Sequence, residues 1–301
     1  MDTPFDPAPA PPPRFQLAAA SVAGRDHQRV GRNNQDAWAV FQGRRALVAV
    51  VADGCGSAPH SEAGARLGAR LLASALARRL EDGAGPVEAP VVAPIESLLD
   101  GARQEVLWQL RAVALGLCPS SGPDARLMLG QVRDHLLFTL LGAVVGPVET
   151  VAFALGDGLL EVDGRPLALG PFPGNEPPYL GYALLPEALH GVPEAALRLQ
   201  IVARLPTASL RTLALGTDGA CGLAAAGAPV AALFDDGLLF RNPDALRRRL
   251  FLLARDVPGA ARPAPLASPP SLAPLAALAS LHDDTTLVLI RRDAPSARDA
   301  V

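Results

Sequence analysis

The stretch ALVAVVADGCGSAPHSEAGARLGARLL, residues 46–72, joins an apolar run to an amphipathic segment through a short acidic turn. Its first part, ALVAVVA, is apolar at every position, which favours a central β-strand buried on both faces. From Ser61 the period changes, because Ala65, Ala69 and Leu72 recur at helical spacing. A helix of about five turns is therefore predicted from Ser61, which we interpret as its N-cap, to 81–83.

The rest of the chain reads as blocks of strands and blocks of helices. This segregation favours an α+β fold with two sheets covered by helices over alternating βαβ units. Gly43 and Arg44 split two early apolar runs and predict a hairpin. Strands are predicted at 14–24, 37–43, 45–52, 136–146, 149–156, 158–163, 198–204, 210–216 and 285–292, helices at 96–116 and 228–257, and loops at 84–94, 117–130 and 170–181.

One large domain is expected over residues 14–293. Residues 1–13 are rich in proline and predict an extended or disordered leader. A second proline-rich stretch, 258–274, predicts a surface loop, and residues 294–301 predict a polar tail.

Composition argues against several classes of protein. The chain has 301 residues and a formal net charge of -3, without a long basic run, so that no nucleic-acid surface is expected. Its three cysteines indicate neither a disulfide framework nor a zinc site. We see no signal peptide and no apolar stretch of about 18 to 20 residues, and we expect a cytoplasmic protein that does not enter the membrane.

Aspartates stand where the strongest apolar β runs begin or end. A carboxylate at a strand end is held rigidly yet reaches solvent, and several on one edge would repel each other unless a cation lies between them. Oxygen ligands without His or Cys at matching spacing indicate Mg²⁺ or Mn²⁺. Any single Asp-Gly pair is more often a turn, so the prediction depends on the whole set. The set comprises Asp36, Asp53, Asp157, Asp218, Asp283 and Asp284.

Six motifs in order resemble the metal-dependent serine/threonine protein phosphatase family, type 2C, and in particular a bacterial branch with a Gly-x-x-His…Gln-Asp-Ala opening. The motifs span nearly the whole chain, and it is their order that makes the resemblance specific. They are SVAGRDHQRVGRNNQDAWAV (21–40), VVADGCGSAPHSEAGARLGARLL (50–72), TLLGAVV (139–145), LGDGLLEV (155–162), GTDGACGL (216–223) and DDTTLVLI (283–290).

This resemblance implies two packed antiparallel β-sheets flanked by helices, with two Mn²⁺ or Mg²⁺ ions at one edge. Asp53 matches the aspartate that bridges both metals, and the Gly54 carbonyl matches a ligand of the second metal. Asp218 and Asp283 match the carboxylates on the first metal. Asp284 stands where the family more often has Asn, so that Asp283 and Asp284 could exchange roles.

The resemblance also implies how a phosphoprotein substrate would be hydrolysed. Asp36 matches a carboxylate that orients metal-bound water, and Arg32 is favoured over Arg29 as the clamp on the phosphate, although the family's arginine is commonly found where this chain has Gly31. His27 could position substrate or donate a proton, or it could be structural. An opposing Ser/Thr kinase is an expected partner.

Three departures from the family pattern keep a second function open. Gln35 replaces a glutamate on the second metal, Cys55 replaces a proposed acidic histidine, and Gly222 replaces a third-metal aspartate, which leaves Asp157 to shape a turn or hold an outer water. A catalytically impaired module that binds phosphoproteins or a regulatory ligand is therefore the alternative to an active phosphatase.

Overall fold

Two five-stranded antiparallel sheets pack face to face in the computed structural model, which describes residues 14–82, 94–118, 125–255 and 281–293. The predicted leader, the 258–274 loop, the tail and nearly all of the 84–94 loop lie outside the described residues. The first sheet has the order β1 (Phe15–Val22), β10 (Thr285–Arg292), β9 (Thr212–Gly216), β6 (Gly158–Val162) and β7 (Arg165–Leu169). The second has the order β2 (Ala37–Gln42), β3 (Leu47–Ala52), β4 (Leu140–Val145), β5 (Glu149–Leu155) and β8 (Gln200–Pro206).

Strand β3 is buried on both faces, as its continuous apolar sequence predicts. Alternate side chains point to opposite sides of a strand. Leu47, Ala49 and Val51 join the core between the two sheets, whereas Val48 and Val50 join the core beneath the helices. Both cores therefore depend on this strand.

Helices cover the outer face of each sheet and complete four layers. Helices α2 (Ser61–Glu81) and α3 (Ile95–Gly116) pack on the second sheet, and α7 (Ala245–Ala254) packs on the first. The others are α1 (Arg25–Val30), α4 (Ala125–His135), α5 (Val230–Leu233) and α6 (Gly237–Arg241). The predicted α+β sandwich of two antiparallel sheets flanked by helices is confirmed. Within the described residues, no helix is both long enough and apolar enough to cross a membrane.

Several local predictions were wrong. The loop predicted at 117–130 overlaps α4, which begins at Ala125, and the helix predicted at 228–257 is three short helices. Strand β7 was missed because RPLAL is an exposed edge strand with little apolar alternation.

Ser61 is also not the N-cap of α2. His60 holds that position, and Ser61 is the first helical residue. The Ser61 hydroxyl instead donates to the Cys55 carbonyl at 3.0 Å and accepts from Gln35 Nε2 at 2.5 Å. This side chain therefore ties the start of α2 to the turn after β3.

Candidate metal centre and catalytic pocket

Carboxylates from four strand ends converge on one cavity of about 90 Å³. Asp53 follows β3, Asp218 follows β9, Asp157 lies between β5 and β6, and the pair Asp283–Asp284 precedes β10. All five line the cavity, and no Lys or Arg is among the described residues that line it. The sandwich thus brings together aspartates that are up to 231 positions apart, since both Asp53 and Asp284 line this cavity.

Asp53 lies at the centre of this acidic cluster. Burial raises its pKa well above the ordinary value, and the charges of Asp36, Asp218, Asp283 and Asp157 raise the pKa further. Among these charges, those of Asp36 and Asp218 have the largest effect. Such crowding is unfavourable for ionised carboxylates in the absence of a compensating cation.

Asp36 lies behind Asp53 and is held from the first sheet. Its Oδ2 accepts a 2.6 Å hydrogen bond from the Thr217 hydroxyl, whereas its buried Oδ1 has no hydrogen-bond partner among the described residues. Burial raises the pKa of Asp36 well above its usual range. One oxygen of Asp36 is therefore fixed, and the other is available to a ligand or a water.

The two consecutive aspartates before β10 have different surroundings. Asp284 is buried, and it accepts backbone hydrogen bonds from Gly24 at 2.8 Å and from Gln35 at 2.6 Å. Asp283 is exposed, and its charge is the second cause, after burial, that raises the pKa of Asp218. Asp284 thus binds the backbone of two loops, and Asp283 is the member of the pair that acts more strongly on Asp218.

Gly54 brings the turn after β3 close to Gln35. A Cβ at Gly54 would lie 2.8 Å from the Gln35 carbonyl oxygen and 2.7 Å from Ser61 Oγ, so that no larger residue fits here. The Gln35 amide donates to the Ala58 carbonyl at 3.0 Å, and its buried Oε1 has no partner among the described residues. Gln35 therefore presents a neutral oxygen at the cavity wall.

His27 lies at the cavity and Arg32 does not. His27 Nδ1 is 2.8 Å from Asp284 Oδ2, and His27, Asp283 and Asp284 offer ligand atoms within 4.8 Å of one another. Arg32 is not among the lining residues, because its Nη2 donates to the Ala58 carbonyl at 2.7 Å. The phosphate-clamp role of Arg32 stays a prediction that this geometry does not support.

The segment 170–181 contributes residues that sequence reasoning left in a loop. Asn175 and Tyr179 both line the cavity. Burial, followed by the neighbouring Cys55 thiol, raises the pKa of Tyr179, so that the phenol remains protonated and can donate a hydrogen bond. The sequence holds one weak signal that the segment 170–181 contributes to a site. The chain has only two tyrosines, and they lie within this segment and directly after it.

Asp157 is a further member of the cluster, as the aspartate set predicts, although the family resemblance left it only to shape a turn or hold an outer water. Burial, followed by the charge of Asp218, raises its pKa to about 6. Asp157 therefore faces the same excess of negative charge as its neighbours.

These donors fit a hard divalent cation. They are carboxylate, carbonyl and amide oxygens, which are the ligands that Mg²⁺ and Mn²⁺ prefer. Two of the oxygens, Asp36 Oδ1 and Gln35 Oε1, are buried without a partner among the described residues. A cation would compensate the negative charge of the carboxylates, and the water that it carries could reach the oxygens left without a partner.

Known proteins resemble this chain in fold and in sequence family. A bacterial serine phosphatase of known crystal structure is 15% identical with a TM-score of 0.51, and the match covers 95% of this chain and 100% of that chain. The serine/threonine phosphatase Stp1 from Staphylococcus aureus is 15% identical with a TM-score of 0.50, covering 95% of this chain and 97% of that chain. No curated protein sequence matches.

Both structural similarities concern the fold, and the family assignment comes from the sequence. The family model described as protein phosphatase 2C matches residues 23–252, which is more than half of the chain and includes the first four aspartate positions of the site. The chain therefore belongs to the protein phosphatase 2C family of metal-dependent phosphoprotein hydrolases.

Proposed function

We propose that this protein hydrolyses phosphoserine and phosphothreonine in proteins, by means of a water activated between two Mn²⁺ or Mg²⁺ ions that aspartates hold. The observation that carries the proposal is the convergence of five cavity-lining carboxylates, with Asp36 behind them, in a lining without Lys or Arg among the described residues. A module that only bound phosphoproteins would gain nothing from this arrangement, because the acidic cavity repels phosphate when metal is absent.

Four groups would hold the ions. We assign Asp53 as the bridging ligand, the Gly54 carbonyl to the second metal, and Asp218 and Asp283 to the first. Asp284 would support these ligands through its backbone hydrogen bonds instead of binding metal. When bound, two such cations lower the pKa of a water between them and balance charge on the phosphoryl oxygens.

The chain's own side chains would orient the reactants. Asp36, fixed by Thr217, would direct a water with its free Oδ1. His27, whose Nδ1 lies 2.8 Å from Asp284 Oδ2, lines the cavity and would present its imidazole to the leaving oxygen. The Tyr179 hydroxyl and the Asn175 amide lie at the same cavity and would offer neutral hydrogen-bond donors to the phosphoryl group.

A groove beside the cavity supports a polypeptide substrate. Its volume is about 530 Å³. Ser57 and Glu176 line this groove, and their neighbours Gly56 and Asn175 line the catalytic cavity, so that the two are adjacent. We expect the residues that flank the phosphorylated side chain to lie here. An opposing Ser/Thr kinase and a cytoplasmic location remain expectations.

The first test of this function is metal removal. Exhaustive chelation should abolish hydrolysis of an aryl phosphate and of a phosphoserine peptide, and Mn²⁺ or Mg²⁺ should restore both activities. The reason is that the carboxylates alone repel the phosphate and supply no electrophile. Initial rates measured across a metal titration provide the readout, and activity that persists after chelation would refute the proposal.

A second prediction concerns the neutral ligand Gln35. Gln35→Glu should lower the Mn²⁺ concentration for half-maximal activity, because it adds a negative charge at the cavity wall. The same change should lower the free energy of unfolding of the metal-free protein by roughly 1–3 kcal/mol, because the new carboxylate oxygen would face the Ala58 carbonyl that Nε2 now binds. Gln35→Met is the control, since it lacks the charge. Equal metal titrations for wild type and Gln35→Glu would place Gln35 away from the ions.

A third prediction separates the two candidates for proton donation to the leaving group. Phosphoserine expels a poor leaving group that needs an acid, whereas a nitrophenyl ester needs little help. We expect His27→Ala to slow phosphopeptide hydrolysis about 10²-fold while changing nitrophenyl phosphate hydrolysis far less. Cys55→Ala should change both rates in equal proportion, because the Cys55 thiol is buried against Ser57 and Tyr179. The reverse pattern would assign the acid to Cys55.

A further inference from the structure

Arg103 is a buried cation without an anionic partner among the described residues. It lies on α3, its exposed fraction is 2%, and its Nε donates to the Leu197 carbonyl at 2.5 Å. Neither Nη nitrogen makes a hydrogen bond or a salt bridge within the described part of the chain. A buried charge is unfavourable unless it is paired, so that an anion at the Nη nitrogens would stabilise this guanidinium.

The guanidinium borders a cavity of about 280 Å³, separate from the catalytic one. Leu107, Leu185 and Leu197 give this cavity apolar walls, and Tyr182 adds an aromatic one. The cavity therefore combines one buried cation with a surface that suits an apolar body.

His190 supplies a second donor to the same cavity. Its Nδ1 accepts a hydrogen bond from the Val192 backbone amide at 3.1 Å, so that the proton of the neutral ring is on Nε2. Nε2 is buried and has no partner among the described residues. The ring is held by stacking on Tyr182, with centroids 4.7 Å apart and an angle of 4° between the planes.

Nearby carboxylates offset the burial of Arg103 only in part. The charges of Asp100, which is half-buried on the same helix, and of Glu194 stabilise the guanidinium, but neither forms an ion pair with it among the described residues. Glu194 is exposed and lies 3.8 Å from Arg198, and Glu187 is also exposed, so that solvent screens both. The buried end of the cavity is therefore cationic, whereas its acidic groups are at the solvated rim.

We propose that this cavity is a binding site for a small organic carboxylate, whose acid group pairs with Arg103 and His190 Nε2 and whose apolar body packs on Leu107, Leu185 and Tyr182. Arginine suits this role because its fork of N–H groups matches a carboxylate. This cavity is distinct from the catalytic one, but Tyr182, Leu185 and His190 also line the groove proposed for the substrate polypeptide. A ligand there would contact Tyr182, whose ring packs edge-to-face on that of Tyr179 at the catalytic cavity.

The chain's two tyrosines allow a direct test, because Tyr179 lines the catalytic cavity, whereas Tyr182 lines this cavity and the neighbouring groove. Arg103 lines this cavity but not the groove, so that its variant distinguishes the two places. Metal-free protein with ¹³C-labelled tyrosine rings would be titrated with sodium benzoate at constant ionic strength, and the resonances assigned with Tyr179→Phe and Tyr182→Phe. We expect a saturable shift of the Tyr182 signals. Benzamide, a neutral isostere of benzoate, should bind at least tenfold more weakly.

Matched variants show whether Arg103 carries the binding. Arg103→Met should weaken benzoate binding at least tenfold, and Arg111→Met, an exposed change on the same helix, should leave it unchanged. If Arg103→Met does not fold, His190→Ala serves instead and should weaken binding several-fold. The proposal is overturned if Tyr182 shows no saturable shift, if only Tyr179 responds, if benzamide binds as well as benzoate, or if the variant that folds binds like wild type.

Discussion

Asp53→Asn is expected to lower kcat by about 10³-fold while the fold is retained. Asp53 is the proposed bridging ligand and lines the same cavity as Gly54, assigned to the second metal, and Asp218, assigned to the first, so that one substitution weakens both proposed metal sites at once. Loss of one group that stabilises developing charge costs 10²–10³-fold in other enzymes, and here two cations depend on it. The measurement is kcat on a phosphoserine peptide at saturating Mn²⁺, with far-ultraviolet circular dichroism to check the fold.

The same substitution should raise the stability of the metal-free protein. The pKa of Asp53 is raised in the folded state by burial and by Asp36, so that the folded protein binds protons more tightly than the unfolded chain does. Its contribution to stability is full below the unfolded pKa of about 3.9 and is lost as pH rises through the folded value. At neutral pH the carboxylate therefore destabilises the metal-free fold, and Asn removes that effect.

Asp26→Asn provides the control for both measurements. Asp26 is an exposed aspartate on α1 that does not line the cavity, so that its loss should change neither kcat nor the metal requirement substantially. An Asp53→Asn enzyme with near-normal kcat would contradict the two-metal proposal. A variant that unfolded in the absence of metal would contradict the claim of repulsion among the carboxylates.

The fold was predictable where burial alone decides the element. The run 45–52 is apolar at nearly every position, and β3 is indeed central and buried on both faces. Helix α4 was missed because the sequence SSGPD at 120–124 is typical of a turn and led to a loop prediction for the whole of 117–130. Apolar side chains nevertheless recur at helical spacing after Ala125, where α4 begins. Strand β7 was missed because its own sequence does not indicate a strand. It forms because a tight turn after β6 brings it into antiparallel pairing with that strand.

The sequence predicts those residues of the site that lie at the ends of apolar strands, and not the others. Asp53 and Asp218 follow apolar runs, and a sheet edge brings such positions together. Tyr179, Asn175 and Thr217 come from irregular segments or act across the two sheets, and no period in the sequence indicates those contacts. The difference between Asp283 and Asp284 is equally hidden, since only the backbone decides which of two identical neighbours points inward.

That difference leads to a pair of contrasting substitutions at Asp284. Asp284→Ala should lower the free energy of unfolding by about 3 kcal/mol, because it leaves the buried amides of Gly24 and Gln35 without an acceptor. The amide of Gln35 immediately precedes Asp36, so that kcat should also fall as this loop loses its anchor. Urea denaturation and kcat measured on the same preparation would report both effects.

Asp284→Asn should be tolerated, although it removes the same charge. Its carbonyl oxygen can still accept one of the two backbone hydrogen bonds, so that the loss is about 1 kcal/mol, and the lower negative charge of the cluster offsets part of it. Asp283→Asn should instead retain stability and lose most of kcat, because Asp283 is the proposed metal ligand. If Asp284→Asn proves as inactive as Asp284→Ala while Asp283→Asn stays active, the two aspartates exchange roles. In that case the negative charge of Asp284 would hold an ion, and its hydrogen bonds to Gly24 and Gln35 would matter less for activity.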